Sequence, residues 1–174
     1  MNVEYSNKWI NIISDGEGDE KYYYVNEPLK ICILPYIQED DELLIVSLIE
    51  PITIWDEDRT REITCVQGTI EDGDDPIETA PRELYEETGF NAPLPEFKER
   101  YTYVGKYNFS KSSDSHRYLF LVDVTGMDRG KKTTDGSDFE KRTKIMVSKP
   151  TILEESTDMT LQFLYHCLKQ KLEQ

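Results

Sequence analysis

GTIEDGDDPIETAPRELYEETGF, residues Gly68 to Phe90, is the stretch whose reading decides the fold. Its second half spaces Glu83, Glu86 and Glu87 by three and four, so on a helix the three carboxylates share one surface. Helix neighbours of like charge cost roughly a few tenths of a kcal/mol per pair, so a cluster this dense implies a cation among the acids. An all-oxygen donor set points to a hard ion, Mg2+ or Mn2+, because thiolate or imidazole would select softer metals.

The helix announces both of its ends. Asp75 is placed to cap the start, Pro76 suits the first helical position and Glu78 completes a capping-box-like pattern, while Gly89 is placed for a left-handed stop. Ile77, Ala80 and Leu84 fall three and four apart and are expected to face the core, with the carboxylates on another side. Pro81 removes an amide from the ladder, which predicts a kink or a loose first turn.

Taken in order, Gly68, Asp74, Arg82, Glu83, Leu84, Glu86, Glu87, Gly89 and Phe90 resemble the Nudix box, the signature of hydrolases that cut nucleoside diphosphates linked to another moiety. The family usually carries Glu where this chain has Asp74. The resemblance implies an α/β fold, a Nudix-type α/β/α sandwich with a mixed β-sheet. It implies metal contacts from Glu83, Glu86, Glu87 and the Gln67 carbonyl, and an Arg82 that orients the carboxylates. Gly68, Asp74 and Gly89 are then structural members of the motif. An acid from a later loop adds a metal contact or acts as base in several family members, which makes Glu140 the candidate, with Asp138 behind it and a box glutamate such as Glu86 as the alternative base.

The 174 residues fit a single domain spanning 1–174, with 1–28 as an N-terminal extension. Relatives acting on ADP-ribose often use such an extension in a homodimer, so the resemblance implies that partner. A net charge of -15 argues against binding a nucleic-acid duplex. An anionic nucleotide can still bind where metal cancels the local carboxylates. Three scattered cysteines, Cys32, Cys65 and Cys167, form no disulfide framework and suit a cytoplasmic setting. Trp9 to Ile13 is too short for a signal sequence or a membrane span.

Strands are expected at Tyr22–Val25, Leu29–Tyr36, Glu42–Leu48, Ile63–Val66, Arg100–Tyr107, His116–Val124 and Lys144–Val147. Asp158 to Leu172 reads as an amphipathic helix with Met159, Phe163, Cys167 and Leu168 along its apolar stripe. Arg59 is a candidate for substrate phosphate, against the alternative of a solvated loop charge. The loop Asn108–Ser115 holds Lys111 and Ser112, chemistry that can cradle phosphate or ribose but that ordinary hairpin loops share.

The chain order resembles ADP-ribose and nucleotide-sugar pyrophosphatases, which implies cleavage of a nucleoside diphosphate-X substrate. Dinucleoside polyphosphates, capped RNA ends and modified nucleoside triphosphates are the alternative substrates. A non-catalytic Nudix-fold nucleotide sensor is the alternative role, and an acidic interaction protein would explain the charge without the spacing.

Overall fold

The structure, a computed structural model, describes residues 1–7, 10–51, 60–108, 110–131 and 141–174. Two sheets organise it. β1 (Asn2–Ser6), β2 (Asn11–Asp15) and β3 (Tyr22–Asn26) form an antiparallel three-stranded sheet at the N-terminus. The remaining strands are β4 (Lys30–Glu39), β5 (Glu42–Pro51), β6 (Arg61–Thr64), β7 (Val66–Thr69), β8 (Tyr101–Tyr107), β9 (Arg117–Asp123) and β10 (Lys144–Ser148). They form one mixed sheet in the order β10-β5-β4-β9-β8, with β6 paired to β5 and β7 paired to β4. Only the β4–β9 pairing is parallel among these ladders.

The apolar runs form β4 and β5 because β-branched and leucine side chains fill both faces of a strand buried on two sides. Ile31 and Ile33 point to one face, where they pack with Ala80 and Leu84 of α1 (Pro76–Thr88). Cys32, Leu34 and Tyr36 point to the other, where they meet Leu161, Leu164 and Leu168 of α2 (Met159–Leu172). A helix therefore covers each face, as the α/β/α expectation required.

Three local expectations are corrected. The predicted strand Ile63–Val66 is two strands, broken at Cys65: β6 pairs with the end of β5, and β7 pairs with the start of β4. The Cys65 amide donates to the Asp158 carboxylate at 3.3 Å, which satisfies it between the ladders. Of the expected α2 stripe, Leu168 is buried and Phe163 and Cys167 pack partly buried against the same core, which Thr160, Leu161 and Leu164 complete, while Met159 is 61% exposed. Asp158 caps α2 through the Thr160 amide, which places Met159 in the exposed first turn. Ile77, expected in the core, is 48% exposed in the first turn of α1.

The N-terminal extension supplies β1 and β2 in addition to the expected strand β3. Its sheet is tied to the 110–114 segment: the Val25 amide donates to the Ser112 carbonyl, and the Asp114 amide donates to the Val25 carbonyl. No helix among the described residues is long and apolar enough to cross a membrane.

Candidate active site

β7 delivers the chain to Gly68, and a turn closed by the Asp74 amide on the Glu71 carbonyl swings it into α1. The Asp75 carboxylate accepts from the Ile77 amide at 2.7 Å, and Pro76 takes the first helical position, as the sequence predicts. The helix runs without interruption from Pro76 to Thr88 with Pro81 inside it. Gly89 ends it at φ 81°, its amide donating to the Tyr85 carbonyl at 2.8 Å.

Arg82 is the hub of the acids. Its guanidinium lies 3.0 Å from the Glu83 carboxylate, 3.3 Å from Glu86 and 3.9 Å from Asp74. The planar fork of arginine suits this gathering of carboxylates, and the long reach to Asp74 matches a side chain one methylene shorter than the usual Glu.

Glu83 departs from the expectation that the carboxylates keep to a side away from the core: it is only 7% exposed. A carboxylate so placed needs compensation, and Arg82 supplies part of it. Room for it comes from across the layer, because a Cβ on Gly68 would overlap the Glu83 carboxyl group. Glu86 and Glu87 are half-buried further along the helix. Gln67, opposite Cys32 in the ladder, immediately precedes this contact.

Sequence reasoning missed what holds the far end of the helix. The Gly130 amide donates to the Gly89 carbonyl at 2.9 Å, and Phe90 bridges Arg129. A Cβ on Gly89 would stand 2.5 Å from the Gly130 carbonyl oxygen, so the contact requires glycine. The run of small residues and charges from Gly126 onward carried no signal for it.

The structure thus brings together Gly68, Asp74, Arg82, Glu83 and Glu86. Lys111 and Ser112 sit instead against the N-terminal sheet, where the Tyr22 hydroxyl reaches the Lys111 carbonyl and the Ser112 hydroxyl. That segment joins β8 to β9 at the sheet end where β7 pairs with the start of β4. Arg59, Asp138 and Glu140 lie outside the described residues.

Among the described residues, no three His, Cys, Asp or Glu side chains stand as a ready metal cage. The donor chemistry nonetheless fits a hard dication. Asp74, Glu83 and Glu86 surround the Arg82 guanidinium, so the cluster keeps an excess of negative charge and offers carboxylate oxygen.

The NUDIX domain model matches residues 28–149. No curated protein matches the chain. Among solved structures, the crystal structure of an ADP compounds hydrolase superposes with a TM-score of 0.64 at 17% identity, covering 98% of this chain and 92% of that one. At that identity the likeness is one of fold. With a family model spanning well over half of its length and the box geometry in place, the chain belongs to the Nudix family.

Proposed function

We propose that the protein is a Mg2+- or Mn2+-dependent hydrolase that cuts the pyrophosphate linkage of a nucleoside diphosphate-X substrate, of which ADP-ribose and nucleotide sugars are the first candidates. The observation that carries this reading is the convergence of Glu83 and Glu86 on Arg82, with the Glu83 carboxyl seated on Gly68.

Glu83, Glu86 and Glu87, with the Gln67 carbonyl, are the groups that would hold the ion. When bound, it would neutralise the diphosphate and acidify a water. Arg82 fixes the direction of two carboxylates, so little reorganisation is left for the moment of reaction. Gly68 lets one of them lie against the backbone. Water attacks phosphorus, the bond from phosphorus to the bridging oxygen breaks, and that oxygen leaves on the second phosphate. Glu86 or Glu140 accepts the water proton.

A homodimer belongs to the same reading, supported by the exposed Val3, Tyr5, Tyr22 and Tyr23 of the N-terminal sheet, and light scattering tests it. The free thiols of Cys32, Cys65 and Cys167 support a cytoplasmic setting.

The test is incubation with ADP-ribose, a nucleotide sugar, a dinucleoside polyphosphate and a nucleoside triphosphate, each with Mg2+ or Mn2+. Two monophosphate products from a diphosphate-X substrate, lost with chelator and sharply reduced in Glu83→Gln, are expected. Tight nucleotide binding without product from any substrate would establish the sensor instead.

A further inference from the structure

The register of the main sheet sets a row of side chains beside the box. Gly68 on β7 pairs with Ile31 on β4, Ile31 with Tyr118 on β9, and Tyr118 with Lys106 on β8. In the neighbouring row Val66 pairs with Ile33, Ile33 with Phe120, and Phe120 with Tyr103. Ile31, Ile33, Phe120 and Tyr118 all pack in the layer that contains α1, so both rows lie on the helix side of the sheet. Three strand spacings, about 14 Å, separate Gly68 from β8 along the row.

At that edge the aromatic rings form a tier. Tyr103 lies 5.2 Å from Phe120 and 6.5 Å from Tyr118, the latter pair inclined by only 27°. Phe120 is buried beneath them, yet Tyr103 is 49% exposed, so the tier ends in a ring open to solvent. The Lys106 ammonium stands 5.3 Å from the centre of the Tyr118 ring.

Lys106 reaches this face because of a defect in the ladder. The register between β8 and β9 shifts between Tyr103 and Gly105, which adds one residue and reverses the alternation. Val104 and Gly105 therefore fall on the α2 side, opposite Leu119, and Lys106 returns to the side of Tyr103. Regular alternation would have aimed this lysine at the opposite layer.

We infer that Tyr103, supported by Tyr118 and Phe120, is the platform on which the nucleobase of the substrate stacks, and that Lys106 takes the phosphate nearer that base. The inference rests on the reading of the box as a site for nucleotide substrates and adds where the base is held. An exposed aromatic ring offers a face to any planar base, and an adjacent ammonium favours an anionic oxygen. Lys106 stands in the row of Gly68 on the box side of the sheet, and because Ile31 between them is buried under α1 the phosphates would pass outside that row.

Equilibrium binding separates this from the hydrolase reading, because it needs no turnover. Calorimetry with Mg2+ compares AMP with ribose 5-phosphate, which lacks only the base, on wild type, Tyr103→Ala and Tyr103→Phe. Wild type should prefer AMP by at least ~10-fold, Tyr103→Phe should keep that preference and Tyr103→Ala should lose it. Lys106→Gln should weaken AMP while leaving adenosine unchanged. A preference for AMP that survives in Tyr103→Ala, or its absence from wild type, overturns the platform even if diphosphates are cut. Base-dependent binding through Tyr103 with no cleavage of any substrate would leave the platform standing and remove the hydrolase.

Discussion

Gly68 on β7 and Glu83 on α1 compete for one space: the glycine has no Cβ, and the glutamate carboxyl lies where that atom would be. The strand and the helix can approach this closely only with glycine at the contact. Glu83 is thereby held by its surroundings and not by helix propensity alone.

Gly68→Ala forces that carboxyl to move. A displacement of about 1 Å at a catalytic group costs on the order of 100-fold in rate, and overpacking costs about 1–3 kcal/mol in stability. The expected result is a fall in kcat of that order on the substrate identified by the panel, with the circular dichroism spectrum retained. Rate and urea midpoint measured on the same preparation check it.

Arg82→Lys keeps the charge and loses the fork. A single ammonium cannot span Asp74, Glu83 and Glu86 as the guanidinium does. Apparent affinity for Mn2+, read from activity against metal concentration, should fall about 10–100-fold, as for other groups that orient ligands from behind. Unchanged metal dependence would remove the positioning role of Arg82.

Gly89→Ala tests the end of α1. The residue sits at φ 81°, and its Cβ would press on the Gly130 carbonyl oxygen. The left-handed conformation alone costs an L-residue about 1–2 kcal/mol. Urea denaturation should show a loss at least that large.

Alkaline pH should weaken the fold through Tyr101. Burial pushes its phenol well above the ordinary tyrosine range, and its hydroxyl donates to the Ala92 carbonyl at 2.8 Å. Below the unfolded value, about 10, both states keep the proton and the contribution is complete. Above it the unfolded chain loses the proton first, so stability falls as pH rises toward the folded value. Tyr101→Phe should flatten that fall between pH 9 and 11, at a cost of about 1 kcal/mol near neutrality from the lost hydrogen bond. Urea midpoints across this pH range for both proteins check the sign.

Much of this was legible in the sequence. The run LKICILPY marked β4 because such a segment is too short and too β-branched for a buried helix, and Asp75 and Gly89 marked the ends of α1 through local chemistry. What escaped depended on distant partners. The periodicity of α1 identified Ala80 and Leu84 but not that Ile77 lies beyond the reach of the sheet, or that Glu83 finds room against a glycine fifteen residues earlier. The stripe on α2 held at Phe163, Cys167 and Leu168 but included Met159 and missed Leu161 and Leu164, for a related reason. Spacing fixes which residues share a face, whereas the docking of Asp158 and Thr160 against Cys65 and Arg117 sets which face turns inward. In the site, the box residues were readable from their spacing, while the Gly89–Gly130 contact was not, because it joins residues forty-one positions apart through backbone atoms.

Residues Lys30 to Ile33 of β4 have β7 on one edge and β9 on the other, with a helical layer above and another below. Their peptide groups have no route to deuterium that leaves the neighbours intact, so they should exchange only when the whole molecule opens. This short segment serves as an internal clock for global unfolding, against which protection gained elsewhere when a nucleotide binds can be timed.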